Sequence, residues 1–436
     1  MAPADTTTRV QLETAVARVP GEASAPRSPP MTAAGPVAWL RANLFSSWLS
    51  TAVTLLLIYL IARFTIGFVE WAFVNAIWEV PNNQTQACRE LKGIGACWAV
   101  VTEKHRFILF GTYPYEEHWR PALVILLFVA LYVVSAMRRF WRKELVTVWA
   151  GALTLIGILM WGGNTAPGLL PQPWEQLLAL ALLLGAGFAY VRGWIGMLWP
   201  TAALVYALLA WVGPVLDMPY VPQERWGGLP ITLILATFGL AFAFPLSILV
   251  ALGRRSSLPA IKTLCVLYVE LIRGVPLISL LFMASVMFPL FLPEGMNIDK
   301  LLRAQIAIIL FAGAYLAEVV RGGLQALPKG QYEAADALGL TYWQKTGLIV
   351  LPQALRLVIP PLVNTFIGFF KDTSLVLIIG IFDLLTAGKT AIVEPAWQGF
   401  GVEVYVFVGV IYFMFCFAMS RYSQNLEAEL NRHRRR

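Results

Sequence analysis

Charged residues are scarce in this chain, at 13% of 436 residues, whereas 58% are hydrophobic. Soluble domains carry about 25% charged residues, so this composition excludes an ordinary soluble protein and indicates an integral membrane protein. Histidine is also rare, and His105, His118 and His433 make no metal-binding spacing with the four cysteines or with one another. No nucleophile–base pair stands out. We therefore expect neither a metal site nor an intramembrane hydrolase.

A complete phosphate-binding loop is missing as well. Residues 387–390 (Ala-Gly-Lys-Thr) imitate the end of such a loop, but Asp383 stands where its first glycine should fall. The sequence therefore predicts no nucleotide site and no cofactor in this chain.

The net charge of +8 does not come from a nucleic-acid groove, because no basic stripe is interleaved with aromatic residues. The basic residues lie between apolar runs and at the C-terminus. This placement fits the excess of lysine and arginine in the cytoplasmic loops of membrane proteins. We therefore expect the chain to contact membrane lipid and not to bind nucleic acid.

Several apolar runs approach the ~20 residues that a membrane-spanning helix needs. The chain is therefore predicted to be all-α, with about ten transmembrane helices. A tail over 1–46, rich in Ala, Pro, Ser and Thr in its first 36 residues, is predicted to be disordered. It is followed by an N-terminal transmembrane region (47–225), a second one (226–423) and a basic tail (424–436). The predicted spans are 48–68, 121–137, 146–161, 176–190, 195–212, 229–252, 263–288, 302–322, 355–381 and 404–420.

Lysine and arginine placement selects the orientation. Basic residues follow the second, fourth and sixth spans and cluster in the segment 327–352 and the C-terminal tail. The opposite loops hold few, apart from the long 69–120 loop, and long loops translocate regardless of their charge. The sequence thus predicts that both termini and the 327–352 segment are cytoplasmic and that the 69–120 loop is external.

Two of the cysteines, Cys88 and Cys97, lie in this external loop. An oxidising exterior favours a disulfide between them, with two free thiols as the alternative. Cys265 and Cys416 fall within spans and are expected to be ordinary buried residues.

The segment 327–352 carries compact helix signals between two apolar spans. Small alanines follow Glu333, Gly339 supplies a left-handed stop, and Thr341 with Gln344 forms a capping box. We expect two short helices parallel to the membrane, with a small face that another protein could grip. The alternative is an amphipathic interfacial hairpin with no partner.

The spacing of Glu333-Ala-Ala, Gly339, Ile349 and Leu351-Pro352 resembles the signature loop of ATP-binding-cassette (ABC) importer permeases. Residues 269–276, 314–323 and 370–375 resemble the polar amino-acid subfamily, and most closely the M-type permease subunit of the general L-amino-acid importer. The resemblance covers about 226–423 and implies that the C-terminal five spans form a type I ABC importer permease core.

The resemblance also implies partners. In such permeases the loop is a coupling helix seated on a cytoplasmic ATPase dimer, which would bind the ATP and Mg. A homologous second permease subunit and a periplasmic amino-acid-binding protein would complete an importer in the bacterial inner membrane. The implied ATPase-coupling residues are Glu333, Ala334, Ala335, Gly339 and Leu340.

Ionisable groups inside spans suggest function by default. The predicted substrate path therefore includes Lys371, Asp372, Thr373 and Ser374, near mid-span, where we expect local unwinding. Glu318 and Glu270 are further candidates. Alternatively, each glutamate pairs with the arginine three residues later (Arg321 and Arg273) and only steadies the bundle.

A second functional class stays open at this point. A secondary transporter or channel working alone would show ion-dependent uptake by the isolated chain, with no dependence on ATP.

Overall fold

The computed structural model describes residues 35–80, 85–141, 144–162, 174–193, 196, 199–201, 203–204, 206–207, 218–293 and 298–432. These residues are overwhelmingly helical, as predicted, and the one strand named among them is the two-residue β1 (Phe382–Asp383). The chain divides into two compact units: residues up to 76 with 93–96, and residues 77–92 with 97 onward.

The first unit contains α1 (Pro36–Asn43) and α2 (Trp48–Val69), and α2 continues into a π-helical turn, Glu70–Val74. Ser47 caps α2 by accepting a hydrogen bond from the Ser50 N–H. No side chain of α2 is buried, as suits a helix surrounded by lipid. The disordered tail predicted over 1–46 is wrong for residues 36–43, because Gly35 and a proline in the first turn begin a helix there.

The second unit opens with short and medium helices and continues with the longer ones. Its helices before residue 220 are α3 (Gln86–Glu90), α4 (Ala99–Phe110), α5 (Trp119–Ala136), α6 (Glu144–Trp161) and α7 (Trp174–Val191). Those after residue 220 are α8 (Gly228–Gly253), α9 (Pro259–Arg273), α10 (Leu277–Phe282), α11 (Lys300–Gln325), α12 (Lys329–Ala337), α13 (Tyr342–Gln344), α14 (Leu351–Asp372), α15 (Leu384–Ala391) and α16 (Gly401–Arg432). Short 3₁₀-helices occupy Tyr115–Glu117, Arg138–Phe140, Gln223–Arg225, Phe288–Phe291 and Thr373–Ile379. Short π-helices occupy Met283–Met287 and Lys345–Val350.

Within the described residues, six helical stretches are long and apolar enough to cross a membrane. They are Trp48–Val74, Tyr115–Ala136, Gly228–Gly253, Lys300–Gln325, Tyr342–Ile379 and Gly401–Ala428. The shorter apolar helices Leu145–Trp161 and Leu177–Tyr190 coincide with the third and fourth predicted spans. The predicted fifth span, 195–212, lies mostly outside the described residues. The total of ten therefore stays a prediction.

The predicted span 263–288 is wrong as a continuous helix. Helix α9 and the segment Leu277–Phe291 meet at an angle of 102°, which is the geometry of a broken span or of a re-entrant loop. Pro276 explains the break, because it has no N–H to donate and disfavours helical geometry in Val275 before it. Gly274 and Val275 therefore form the corner, and Pro276 is the N-cap of α10.

The core of the second unit forms where α8 packs closely along α11. A Cβ added to Gly239 would lie 2.8 Å from Ile308 Cγ2, which shows how near the two helices approach. Leu233 and Leu235 of α8 and Leu316 of α11 are buried in this contact region. This packing fixes the ends of α8 and α11, where the charged groups described below lie.

The start of α8 is held by a crossing of three backbone segments. Gly227 and Gly228 make parallel bridges with the two residues of β1, and the backbone of Leu109 at the end of α4 lies against Gly228. Gly228 has a φ of +67°, and a Cβ there would overlap the Leu109 carbonyl. The glycine pair is thus required for both conformation and space.

Candidate coupling segment and substrate path

The segment 327–352 has the local geometry that its sequence predicts. Helix α12 ends at a turn in which Gly339 has a φ of +70°. Thr341 and Gln344 then form a complete capping box that begins α13. The second helix is not short, however, because α13 continues through the Lys345–Val350 turn into α14. The predicted pair of short helices is therefore one short helix followed by the start of a long one.

The predicted coupling residues do not all face outward. Glu333, Ala334 and Gly339 are exposed and Leu340 is partly exposed, so they are available to a partner. Ala335 is 1% exposed, so its side chain packs within its own chain instead. The prediction that Ala335 contacts a partner is wrong for its side chain, because the helical period turns it inward from its neighbour Ala334.

Polar contacts fix α12 against the ends of α8 and α11. The Tyr332 hydroxyl donates to the Leu324 carbonyl oxygen at 3.0 Å. The Arg255 guanidinium donates to the Tyr332 hydroxyl at 2.8 Å and to the same Leu324 carbonyl oxygen at 2.8 Å. Across the Gly339 turn, Lys345 Nζ lies 2.5 Å from a carboxylate oxygen of Asp336. The segment is thus a braced unit and not a loose loop.

Large apolar side chains surround the exposed face of this segment. Leu338 is 74% exposed, Trp343 71% and Leu348 72%. Tyr342 stacks edge-on against Trp343, with ring centroids 5.3 Å apart. Aromatic groups are enriched where proteins contact one another, so this rim suits a protein interface.

A charge network joins the ends of α8, α9 and α11. Glu318 accepts hydrogen bonds from Arg254 and from Arg321, the latter at 2.7 Å, and lies 3.5 Å from Arg273. Arg254 also pairs with Glu270 at 3.0 Å. The predicted Glu318–Arg321 pair is present.

The predicted alternative pair Glu270–Arg273 is wrong in the described structure. Both residues turn instead toward partners on other helices, which the packing of α8 and α11 brings within reach. From the sequence, Arg254 contributes only to the predicted orientation of the spans, and its central place in the charge network was not predicted. Its partner Glu318 is 64 residues away, and no local pattern encodes that contact.

The polar run at the end of α14 changes from α-helical to 3₁₀-helical geometry and does not unwind as predicted. Helix α14 ends at Asp372, and a 3₁₀ turn follows over Thr373–Ile379. Lys371 is exposed, Asp372 and Ser374 are partly exposed, and Thr373 is buried. In the described structure no ion pair joins this run to the Glu318 network.

Sequence reasoning missed a buried polar cluster around Asp383. Its carboxylate caps α15 by accepting from the N–H groups of Leu385 at 3.0 Å and Thr386 at 3.1 Å. The Thr386 hydroxyl also donates to it, and Tyr412 approaches at 3.4 Å. Burial raises the pKa of Asp383, although these hydrogen bonds to the carboxylate oppose that effect. The signal was available, since Asp383 precedes a helix as a capping residue would.

The imitation phosphate loop at 387–390 is part of helix α15. A Cβ on Gly388 would lie 2.9 Å from Val408 Cγ2, so this glycine allows α15 to pack closely against α16. Its sequence therefore reflects helix packing.

Residues 85–92 and 97–110, here called the disulfide element, pack against the start of α16. A disulfide joins Cys88 and Cys97, whose Cα atoms are 5.5 Å apart. The Cys97 N–H donates to the buried Glu403 carboxylate at 3.0 Å. The Arg89 guanidinium donates to the Pro395 carbonyl oxygen at 2.9 Å. Cys265 and Cys416 are free thiols and are only partly buried.

Lys104 adds an ion pair to this contact, 2.6 Å from Glu394 and 3.2 Å from Glu103. Burial alone would lower the pKa of Lys104, but the two glutamates outweigh it and the pKa is raised. The ammonium therefore stays charged at neutral pH.

Comparison with known proteins places these features in a family. A family profile described as "Binding-protein-dependent transport system inner membrane component" matches residues 243–432. The inner membrane amino-acid ABC transporter permease protein YhdY of Escherichia coli (strain K12) is 43% identical over 396 residues, which cover 90% of this chain and 92% of that protein. The chain belongs to the amino-acid ABC transporter permease family. This confirms the family resemblance and the membrane-permease class.

A second long relative matches the permease almost from end to end. The glutamate/glutamine/aspartate/asparagine transport system permease protein BztC of Rhodobacter capsulatus is 38% identical over 441 residues, covering 95% of the permease and 98% of BztC. By contrast, the L-cystine transport system permease protein TcyB of Bacillus subtilis is 33% identical over 226 residues, covering 51% of the permease but 94% of TcyB. A complete relative can thus be about half as long. The likeness to the M-type subunit in particular stays a prediction.

Proposed function

We propose that this permease is the membrane subunit of an amino-acid ABC importer and that its 327–352 segment couples it to a cytoplasmic ATPase. The observation that carries the proposal is the braced, exposed α12 segment, with Glu333, Ala334 and Gly339 outward. The names of the long relatives, both amino-acid permeases, support amino acids as the cargo. Broad-range L-amino acids fit the resemblance best.

The remaining partners are part of the same proposal. A cytoplasmic ATPase dimer holds the ATP and Mg, a second homologous permease completes the translocation path, and a periplasmic binding protein delivers the amino acid. Both termini then lie in the cytoplasm. Closure of the ATPase dimer displaces α12 as a unit, and the spans alternate between outward- and inward-open states.

Within the path, we assign different roles to the predicted residues. Lys371 and Asp372 lie at a helix end with exposed or partly exposed side chains, which suits contact with the ammonium and carboxylate of a passing amino acid. Glu318 is surrounded by three arginines, so its charge is already neutralised and it braces the helices. Glu270, whose one ion pair among the described residues is with Arg254, belongs to the same brace.

Reconstitution tests this function against transport by the isolated chain. The permease with its co-purifying partners is placed in proteoliposomes, and uptake of a radiolabelled L-amino-acid mixture is measured with ATP, without ATP and with an ion gradient. We expect uptake only with ATP and with an ATPase among the partners. Ion-driven uptake by the purified chain alone would overturn the proposal.

A further inference from the structure

A cavity of about 480 Å³ opens between residues 78–80, helix α4 and the segment that precedes α16. Its walls include Trp78, Glu79, Thr102, Glu103 and Trp397, with Val80 and Ala99 completing the lining. Ligand pockets for small molecules are commonly about 300–1,000 Å³ in volume, so this space suits a ligand of amino-acid size or one inserted side chain.

Ring contacts and hydrogen bonds connect the walls of the cavity. Trp78 stacks on Trp98 with ring centroids 5.9 Å apart, and the Thr102 hydroxyl donates to the Trp78 carbonyl oxygen at 3.1 Å. Trp397 is buried, and its indole N–H donates to Glu103 at 3.3 Å. The disulfide Cys88–Cys97 anchors the start of α4, which carries Thr102 and Glu103.

Charge then restricts what this cavity can hold. Glu103 is shared between Trp397 and Lys104, and Lys104 pairs more closely with Glu394. Glu79 forms no ion pair within the described part of the chain. The two charged residues that line the cavity, Glu79 and Glu103, are both acidic. The site therefore favours a cation and repels an anion.

We propose that this cavity binds an alkylammonium or guanidinium group between the Glu79 carboxylate and the exposed indole of Trp78. Indole rings attract such cations, and a carboxylate adds charge-assisted hydrogen bonds. The group can belong to a free basic amino acid or to a lysine or arginine side chain of a docking protein. This site goes beyond the proposed function, because its binding requires no ATPase and no transport.

Equilibrium dialysis of the purified full-length chain in detergent micelles tests the site with radiolabelled L-arginine. L-Citrulline, which has nearly the same shape without the positive side chain, is the control ligand. We expect saturable binding of L-arginine that excess L-citrulline does not displace. We expect Glu79→Gln to weaken binding about tenfold, as the loss of one charged hydrogen bond does. Glu116→Gln, an exposed glutamate outside the cavity, serves as the matched control.

The aromatic wall is tested in the same assay. Trp78 is 51% exposed, so its replacement leaves the fold intact, which an unchanged thermal midpoint verifies. Trp78→Phe keeps an aromatic face and should retain most of the affinity, whereas Trp78→Ala should lose it. L-Arginine binding that is absent, or that Glu79→Gln and Trp78→Ala leave unchanged, would overturn the proposal.

The source of the cation is distinguished by competition. The peptide acetyl-Gly-Arg-Gly-amide presents the side chain without a free amino-acid backbone. If it displaces L-arginine, the site accepts a basic side chain of a protein partner. If only free L-arginine binds, the site serves the amino acid itself.

Discussion

The guanidinium of Arg255 donates a hydrogen bond to the hydroxyl of Tyr332 at 2.8 Å, which ties the end of α8 to α12. The preceding residue, Arg254, pairs with Glu318 of α11 and with Glu270 of α9. Two consecutive arginines thus attach one helix end to both the α12 segment and the charge network. We infer that a displacement of α12 moves α8, α9 and α11 together.

The Tyr332→Phe variant removes the hydroxyl and keeps the ring. Two hydrogen bonds are lost, each worth about 1 kcal/mol, so α12 should open more often. Amide hydrogen exchange in residues 329–337 should accelerate about thirtyfold, and uptake should fall further than ATPase activity. Tyr342→Phe is the control, because the Tyr342 ring is exposed and outside this contact. Unchanged hydrogen exchange in Tyr332→Phe would show that the contact does not stabilise α12.

Replacement of Glu318 by glutamine leaves three arginines without their shared carboxylate. Since Glu318 is only 18% exposed, we expect a loss of about 2–4 kcal/mol in the free energy of unfolding. Glu270→Gln is the matched control. Its side chain is 60% exposed and loses a single pair, so the cost should be about 0–1 kcal/mol. Thermal unfolding in detergent compares them, and equal effects would contradict the central place of Glu318.

Removal of the disulfide by Cys97→Ser should loosen the disulfide element. A short cross-linked loop stabilises by about 2–3 kcal/mol, and the buried Glu403 would keep only a weakened contact with the Cys97 N–H. Proteolysis within residues 85–110 should become faster while the rest of the chain is cut as before. Cys265→Ser, which replaces a free thiol, should leave proteolysis unchanged. Equal cleavage rates in the two variants would refute this role.

The helix cap formed by the buried Asp383 should contribute more to the free energy of unfolding than helix caps on the protein surface do. Asp383→Ala leaves the N–H groups of Leu385 and Thr386 without their acceptor in a buried site, so we expect a loss of about 2–3 kcal/mol. Asp383→Asn keeps one acceptor oxygen and should lose less, about 1 kcal/mol. Chemical unfolding of the two variants measures the difference. An equal loss in the two variants, which both lack the negative charge, would argue that the charge, and not the cap, is required.

Local signals predicted the turn and the capping box of the 327–352 segment, but not the continuation of α13 into α14. Gly339 and the Thr341–Gln344 capping box act over four residues, so their geometry follows from the sequence around them. The span 263–288 was predicted as one helix because its apolar run hides the Gly274–Pro276 corner, even though the proline carries the breaking signal.

Contacts between residues far apart in the sequence could not be predicted from local signals. Arg254 and Glu318 are 64 positions apart, and Cys97 and Glu403 are 306 apart. Each pair forms because separate elements pack together, and no residue spacing within one segment predicts it. For the same reason, the exposed alanine Ala334 could not be distinguished from the buried Ala335 before the packing of α12 was known.

The coupling role is tested most directly by Glu333→Lys in the reconstituted complex, with Glu116→Lys as control. Glu333 is exposed and makes no ion pair within the described residues, so its reversal should leave folding and assembly intact. We predict that ATP-driven amino-acid uptake falls at least about tenfold, as expected when one interfacial ion pair turns repulsive. Normal uptake by a fully assembled Glu333→Lys complex would contradict the assignment of this segment as the ATPase contact.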